Sequence, residues 1–216
     1  MSISLDKAPL FVGLRDDELR AIAHKAVEKT FPKDAIVINE GECTGSLYVI
    51  VSGKVKVFLA EENGKELILS IKGPGGYFGE MALDGEARSA SIVTLEPSRF
   101  AVISQSDFKH ILVEHPEVSQ HLIEHLIHIV RRLNKNVRGL TMLNVYGRVS
   151  SLLLDLAVAH DGKLVIAEKL TQQDMANRVG SSREMVSRIF KGLSRGGYIK
   201  VEGRKITINK TLPSRL

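Results

Sequence analysis

Arg88 carries the first chemical hypothesis that the sequence allows. It lies in an otherwise apolar stretch shortly after Phe78-Gly79-Glu80, with Ser89 beside it. The guanidinium of Arg88 can hold a phosphate through two hydrogen bonds, Gly79 lets a ligand approach the backbone closely, and Glu80 can accept from a ribose hydroxyl. A cyclic phosphate fits such a group, and the alternative is that Glu80 and Arg88 pair with each other across a turn. The candidate ligand contacts here are Gly79, Glu80, Met81, Ala82, Arg88 and Ser89.

Two short helices joined by a glycine turn are predicted near the C-terminal end. A capping box at residues 171–174 opens the first helix, Gly180 ends it, and the second helix covers about 183–193. The second helix has an apolar stripe at three-and-four spacing, and its opposite face is polar and mostly basic. This pattern predicts a helix-turn-helix whose second helix enters the major groove of DNA, followed by a hairpin wing over residues 198–208.

The polar face of the second helix has side chains suited to bases and phosphates. Arg183 and Arg188 can each donate two hydrogen bonds to guanine, and Glu184 can accept one from cytosine. For Glu184 the competing interpretation is a second capping box closed with Ser181. The candidate DNA contacts are Thr171, Gln172, Ser182, Arg183, Glu184, Ser187, Arg188, Lys191 and Arg204.

Three histidines share one helical face and could bind a metal ion or sense pH. They are His121, His125 and His128, at spacing i, i+4 and i+7. Neither a cysteine nor a carboxylate completes an obvious ligand set around them. We therefore expect no metal site and no resident cofactor, and we find no arrangement of nucleophile and base that would indicate an enzyme.

The elements that must position these residues change in type along the chain. An amphipathic helix is predicted over residues 15–26, and short runs rich in Val and Ile alternate with glycine turns over residues 35–104. Many short strands of this kind predict a small antiparallel barrel or roll. The expected fold class is therefore α+β: an N-terminal antiparallel β-roll, a long helix and a C-terminal winged helix-turn-helix.

The helical pattern over residues 116–143 can be written as heptads. Leu126, Leu133 and Leu140 occupy one core position, and the other holds Leu122, Ile129, Asn136 and Leu143. A narrow apolar row of about four heptads favours pairing with a second copy, so we expect a parallel homodimer. The alternative is that this stripe packs only on the roll of its own chain.

Charge and cysteine content narrow the class of protein further. The 216 residues carry a net charge of +5, but residues 1–138 hold 17 Lys and Arg against 19 Asp and Glu, whereas residues 139–216 hold 13 against 6. A basic segment behind a nearly neutral one indicates a module that binds a polyanion. The single cysteine, Cys43, excludes an intrachain disulfide and a four-thiolate cluster. With no apolar span and no export signal, we expect a cytoplasmic protein that contacts no membrane.

Nearly the whole sequence resembles the cyclic-AMP receptor protein and FNR superfamily of bacterial transcription regulators. The resemblance rests on Pro9-Leu10-Phe11, Glu40-Gly41-Glu42 and Ser52-Gly53, on Phe78-Gly79-Glu80 with Arg88-Ser89, and on Ser182-Arg183-Glu184 with Arg188. It implies a β-roll of the jelly-roll type that binds a cyclic nucleotide, a long dimerising helix, and a winged helix-turn-helix that binds promoter DNA with a TGTGA-like half-site. The domain bounds expected from it are 1–115, 116–143 and 144–216.

The resemblance also locates where the ligand base would be contacted. The cyclic-AMP receptor has adjacent Thr and Ser on the dimerising helix that reach the adenine, and this chain has Asn134, Lys135 and Asn136 in that region. We add Asn134 and Asn136 to the candidate ligand contacts. Cyclic AMP is the expected effector; cyclic di-GMP, a regulator active without ligand, and a nucleotide-binding subunit without DNA activity stay open. RNA polymerase is a further candidate partner, through the turn at residues 160–163.

Overall fold

The computed structural model describes residues 5–61, 64–160, 162–167, 170–203 and 205–212, apart from the side chains of Ala82 and Leu140. The chain divides into two compact units, Met1–Val130 and Arg131–Leu216. The three-part division at residues 115 and 143 stays a prediction beside these bounds. Among the described residues of both units, no helix has the length and apolarity that a bilayer crossing requires.

The first unit opens with two helical segments. A 3₁₀ turn at Pro9–Phe11 buries Leu10 and Phe11 almost completely, and helix α1 covers Asp16–Lys25. At the start of α1 the backbone N–H of Arg15 donates to the Glu18 carboxylate at 2.8 Å, which satisfies one of the amides that a helix leaves unpaired. The amphipathic helix predicted for this region is confirmed.

Eight strands are found among the described residues of the roll that follows. They are β1 Val27–Phe31, β2 Ile36–Ile38, β3 Ser46–Ser52, β4 Val55–Ala60, β5 Glu66–Lys72, β6 Tyr77–Phe78, β7 Ser91–Thr94 and β8 Ser98–Ser104. They make two four-stranded antiparallel sheets, in the orders β1-β8-β3-β6 and β2-β7-β4-β5. The predicted antiparallel roll is confirmed. Strand β1 was not predicted, because most of its residues are polar and it lacks the apolar run by which most of the other strands were recognised.

An aromatic cluster fixes the strand that leads into the candidate ligand site. The rings of Tyr48 and Phe78 stack at 5.0 Å, and Phe100 meets Phe78 edge-on at 5.4 Å. All three are buried, and burial of one such side chain contributes about 1.5 to 3 kcal/mol. Phe78 therefore holds Gly79, its neighbour in the chain, at a defined place directly after β6.

Two helices follow the roll. Helix α2 covers Gln105–Glu114, with the Ser104 hydroxyl accepting from the backbone N–H of Asp107 at 3.1 Å as an N-cap. Helix α3 covers Pro116–Met142, so the predicted long helix is confirmed. The sequence interpretation did not include α2. A proline is tolerated in the first turn of a helix but not inside one, which places the start of α3 at residue 116 and the break between the two helices at residue 115.

The apolar row on α3 keeps Leu126 and Leu133 at one core position as predicted, but its other core position is shifted by one residue. Leu122 is only 6% exposed and lies in the core of the first unit, so its place in a pairing seam is wrong. Two exposed large apolar residues of α3, Ile127 and Met142, lie outside any such row. Five others instead fall into a heptad of their own, with β-branched side chains at one core position and leucines at the other. They are Ile123, Leu126, Val130, Leu133 and Val137. Asn136, predicted to occupy a core position, flanks this row.

The second unit has the end of α3, three further helices and a four-stranded sheet. The elements are α4 Val145–Leu156, β9 Val158–His160, β10 Lys163–Ile166, α5 Gln172–Val179, α6 Arg183–Arg195, β11 Ile199–Glu202 and β12 Lys205–Ile208. The sheet is antiparallel in the order β11-β12-β10-β9. Helices α5 and α6 with the hairpin β11–β12 are the predicted winged helix-turn-helix, which is thereby confirmed.

Two details of this unit differ from the sequence interpretation. From the sequence we expect a hinge over residues 143–146 between the long helix and the next one. This hinge is too long, because the Asn144 side chain accepts from the backbone N–H of Gly147 at 2.9 Å and α4 already begins at Val145. The hairpin β9–β10 was not predicted as strands. Of its turn, Asp161 lies outside the described residues.

Candidate functional sites

The guanidinium of Arg88 is buried and held by three acceptors of the roll. Its side chain donates from Nε to the Thr44 hydroxyl at 3.0 Å, from Nη1 to the Gly79 carbonyl at 3.1 Å and from Nη2 to the Ser46 carbonyl at 2.9 Å. Arg88 is only 6% exposed. All three acceptors are neutral, so the cation is fixed in orientation without a carboxylate at hydrogen-bond distance among the described residues.

Burial dominates the electrostatics of this arginine. It lowers the pKa of Arg88, and the nearby Tyr48, Glu80 and Glu42 oppose that change. An arginine stays protonated at neutral pH even so. Removing this cation from water costs free energy, and neutral hydrogen-bond acceptors offset only part of that cost. An anion at hydrogen-bond distance would offset more of it through its opposite charge.

Gly79 is required where it stands. Its φ is +90°, and an added Cβ would lie 2.5 Å from the Ser46 carbonyl oxygen and 2.8 Å from Nη1 of Arg88. Any side chain at this position would push against the acceptor and the donor at once. Glycine here therefore allows β3, β6 and the arginine to converge.

The other candidate ligand contacts lie around this group. Glu80 begins a 3₁₀ turn at Glu80–Asp84 and is buried, whereas Met81 is 55% exposed. Ser89 is exposed, and its hydroxyl donates to the sulfur of Met81 at 3.3 Å. Ala82 belongs to the same turn, but its side chain lies outside the described part. The structure thus brings Gly79, Glu80 and Arg88 together. That these six residues contact a ligand stays a prediction.

Asn134 and Asn136 lie on the exposed second half of α3. They belong to the unit Arg131–Leu216, whereas Arg88 belongs to the other unit. Their predicted contact with a ligand base stays a prediction.

Capping interactions set the two helices of the helix-turn-helix. The Thr171 hydroxyl accepts from the Asp174 N–H at 3.0 Å, and the Thr171 N–H donates to the Asp174 carboxylate at 3.0 Å, which confirms the predicted capping box. Gly180 ends α5 in the left-handed conformation, with φ 62°. The N-cap of α6 is Ser182, whose hydroxyl accepts from the backbone N–H of Met185 at 3.3 Å.

Glu184 takes part in this N-terminal turn in a different way from the one predicted. The box with Ser181 is wrong, because Ser182 is the residue that caps α6. Hydrogen bonds from the backbone N–H of Glu184 itself and from the Ser182 hydroxyl lower the pKa of the Glu184 carboxyl. The carboxylate is fully exposed all the same, so its structural contact does not close it to a base.

The predicted polar face of α6 is exposed and the opposite face is buried. Arg183, Glu184, Arg188 and Lys191 are exposed, and Ser187 is half-buried. The buried stripe packs into the core of the second unit and consists of Val186, Ile189, Phe190 and Leu193. Thr171 and Ser182 are exposed, Gln172 is half-buried, and Arg204 lies outside the described residues. The row is thus available to DNA, and its individual DNA contacts stay predictions.

Arg148 connects three segments of the second unit, and the sequence interpretation did not include it. From α4 it donates to the Leu143 carbonyl at 3.0 Å, to the Val179 carbonyl at 2.8 Å and to the Gly180 carbonyl at 3.4 Å. It therefore joins the end of α3 to the turn between α5 and α6. A lone arginine in the otherwise apolar start of α4 was the signal that could have found it.

Two family models match this chain. The model of the cyclic nucleotide-binding domain matches residues 28–115, and the model of the Crp-like helix-turn-helix domain matches residues 147–211. The first match covers the roll with Arg88, and the second covers α5, α6 and the wing.

Relatives and solved structures agree with these matches. The CRP-like cAMP-activated global transcriptional regulator of Mycobacterium tuberculosis is 32% identical over 210 residues, which is 95% of this chain and 94% of that protein. The cAMP-activated global transcriptional regulator CRP of Pasteurella multocida is 33% identical over 88% of this chain and 93% of its own.

Among solved structures, the c-di-GMP responsive global regulator CLP of Xanthomonas campestris has a TM-score of 0.78 at 23% identity, covering 91% of this chain and 100% of that one. The catabolite activator protein of Thermus thermophilus has a TM-score of 0.59 at 26% identity, with 94% and 95% covered.

Proposed function

This chain belongs to the CRP/FNR superfamily of bacterial transcription regulators, and on that basis we propose that it is a homodimer whose binding to DNA is controlled by cyclic AMP. It is a DNA-binding regulator with a cyclic nucleotide-binding domain, and its family is one of transcription regulators rather than of enzymes. The effector, the dimer and the operator sequence are the parts that we propose.

The observation that carries the ligand proposal is the buried, fixed guanidinium of Arg88. A guanidinium has five N–H donors, and the roll accepts three hydrogen bonds from this one at 2.9 to 3.1 Å. The cyclic phosphate of a nucleotide would take the remaining donors and neutralise the charge. Glu80, buried beside it, would accept from the ribose hydroxyl.

Cyclic AMP is the first candidate because the two relatives described above, each more than 30% identical, are named as cAMP-activated and match over most of this chain. The neighbour that responds to cyclic di-GMP is 23% identical, a level that speaks for the fold alone. Asn134 and Asn136 would contact the base. A regulator active without ligand is the remaining alternative, and the experiment below distinguishes it.

The exposed row on α3 supports the homodimer. Ile123, Val130 and Val137 occupy one heptad position and Leu126 and Leu133 the other, and all five are at least 37% exposed. β-branched residues at the first core position with leucine at the second favour a parallel two-stranded coiled coil. We propose that a second copy covers this row.

On DNA, helix α6 would lie in the major groove. Arg183 and Arg188 would read guanines, Glu184 would accept from a cytosine, and Ser187, Lys191, Thr171 and Gln172 would add contacts at the phosphates and groove edge. A two-fold dimer would place the two reading helices on half-sites one helical turn apart.

Arg148 supports a route from the pairing helix to the reading helix. Its three acceptors are the carbonyls of Leu143, directly after α3, and of Val179 and Gly180 at the end of α5, so a movement of one segment would be transmitted to the other through a rigid planar group. The ligand would shift this equilibrium only by binding the DNA-competent arrangement more tightly.

The remaining assignments follow from the role. A regulator of promoters that responds to a nucleotide would work in the cytoplasm. A contact with RNA polymerase through the turn at residues 160–163 is our candidate for activation.

A calorimetric titration of the full chain against cyclic AMP, cyclic GMP and cyclic di-GMP tests the effector. We expect the tightest binding for cyclic AMP, with one site per chain. The same protein is then tested by mobility shift on a TGTGA-containing duplex and on a scrambled one, with and without each nucleotide. Specific retention that needs cyclic AMP supports the proposal. Specific retention without any nucleotide overturns the ligand part, and retention of neither duplex overturns the DNA part.

A further inference from the structure

A histidine and two carboxylates from three different helical segments converge at the base of the first unit. They are Glu18 in the first turn of α1, His115 directly after α2, and Glu117 in the first turn of α3. One ligand atom of each lies within 4.8 Å of the others, and among the described residues no other group of three such side chains does so.

The distances suit an ion better than they suit direct contacts. Nδ1 of His115 lies 4.0 Å from Oε1 of Glu18 and 3.9 Å from Oε1 of Glu117, both beyond hydrogen-bond reach. Ligands held about 2.0 to 2.2 Å from a zinc ion are about 3.3 to 3.6 Å apart in a tetrahedron. A closure of roughly half an ångström would therefore bring His115 and each carboxylate to this spacing. The ligand atoms of the two carboxylates lie within 4.8 Å of each other.

The backbone fixes two of the three ligands. Oε2 of Glu18 accepts from the backbone N–H of Arg15 at 2.8 Å, which leaves Oε1 directed at His115. His115 donates its backbone N–H to Ile111 at 2.9 Å and accepts from the N–H of Val118 at 3.0 Å, and its side chain is only 15% exposed. A hydrogen bond to a ligating carboxylate, such as the one that Glu18 accepts, orients a metal ligand. The bonds of His115 fix its backbone next to the start of α3.

We propose that Glu18, His115 and Glu117 form a site for a divalent first-row transition metal ion, with zinc as the reference ion. One imidazole and two carboxylates are a ligand set that such ions accept, with water in the remaining positions. The bound ion ties α1 to the junction of α2 and α3. It needs neither the nucleotide nor DNA.

One cation competes for this place. Nη2 of Arg15 lies 3.2 Å from Oε1 of Glu18, the same atom that faces His115, and the Arg15 side chain is 71% exposed. An exposed arginine can swing into solvent, so it lowers the affinity without closing the site. Removing the Arg15 side chain should therefore strengthen metal binding. If the Arg15–Glu18 ion pair had a structural role only, its removal would not strengthen metal binding.

The test is a titration of the full chain, in a Cys43→Ser background, with ZnCl₂ by calorimetry and with CoCl₂ by visible absorption. We expect one ion per chain in the micromolar range or tighter. His115→Gln and Glu117→Gln should each weaken binding at least tenfold, and Arg15→Ala should tighten it severalfold. His110→Gln, an exposed histidine on α2, is the matched control and should change nothing.

Each other result overturns the site. Absence of binding by the unaltered chain and by Arg15→Ala shows that the group is an electrostatic cluster only. Equal loss in His110→Gln and His115→Gln shows adventitious binding to surface histidines. Glu117 is 44% exposed, so Glu117→Gln keeps the test valid even if His115→Gln unfolds.

Discussion

Two regions of this protein place arginine side chains in different environments, one buried and one exposed. In the roll, Arg88 is 6% exposed and three acceptors orient its guanidinium, whereas Arg183 and Arg188 on α6 stand exposed on a helix face. A buried, oriented cation selects one small anion and binds it with little further ordering. Exposed cations gain most of their affinity from the phosphates of a polymer and lose it as salt rises. Substitutions should therefore have larger and more local effects in the roll than on α6.

The largest effect is expected from Arg88→Ala. Removing one partner of a buried, hydrogen-bonded charge contact costs about 2 to 5 kcal/mol, so cyclic AMP affinity should fall by a factor of roughly 30 or more. Calorimetry measures this loss. Arg88→Lys keeps the charge but not the planar fork, and it should give an intermediate affinity.

Arg99→Ala is the matched control, since Arg99 is an exposed arginine on β8 of the same roll. The control should bind cyclic AMP as the unaltered chain does. If Arg88→Ala also binds normally while remaining folded, the roll does not use this cation for its ligand.

Gly79→Ala should be the next largest effect, this time on stability. The substitution forces a side chain into φ +90° and against the Ser46 carbonyl, so we expect a loss of roughly 2 to 4 kcal/mol in the free energy of unfolding. Urea unfolding of the full chain measures it.

Gly85→Ala separates the two causes, because Gly85 has φ +86° and open space around its Cβ position. It should lose only about 1 to 2 kcal/mol, the cost of the left-handed conformation. Equal losses in the two variants would mean that the convergence on Arg88 is not tight.

Much of this contrast could be predicted from the sequence, but its details could not. Alternation, glycine turns and helix caps are local signals, and they predicted the roll, the long helix and the helix-turn-helix. Thr44 and Ser46, the partners of Arg88, are more than 40 positions away from it along the chain, and only the pairing of strands brings them near.

The phase of the α3 row shows the same limit. Leu122 and Ile123 are adjacent apolar residues, and both fit a heptad pattern. Only the packing of Leu122 into the core of its own unit decides that Ile123 belongs to the exposed row.

On α6 we expect smaller effects that divide by role. Arg183→Ala should cost about 1 to 3 kcal/mol on the specific duplex and relax the preference for one guanine. Lys191→Ala should weaken binding to specific and random DNA alike and reduce its salt dependence. Mobility shift over a series of KCl concentrations measures both. An equal loss on both duplexes for Arg183→Ala would make it a phosphate contact.

We expect the smallest effect from a substitution of Glu184. This substitution tests whether the Glu184 side chain is held in orientation, as Arg88 is, or is exposed for DNA contact, as Arg183 and Arg188 are. Its folded-state pKa is lowered, chiefly by a hydrogen bond from its own backbone N–H and then by the Ser182 hydroxyl. A lowered pKa means that the stabilisation is present above the unfolded-state value of about 4.5 and is lost as the pH falls through the lower folded-state value.

Glu184→Gln should therefore lower the midpoint of thermal unfolding slightly at pH 7, and the difference from the unaltered chain should vanish in the acid range below that value. Because the carboxylate is exposed, the same variant should also lose part of its preference for the duplex with cytosine at the facing position. A stability difference that persists unchanged into acid would show that the charge of Glu184 plays no part in capping α6. An unchanged duplex preference would leave capping as its role and would place this residue with the oriented groups.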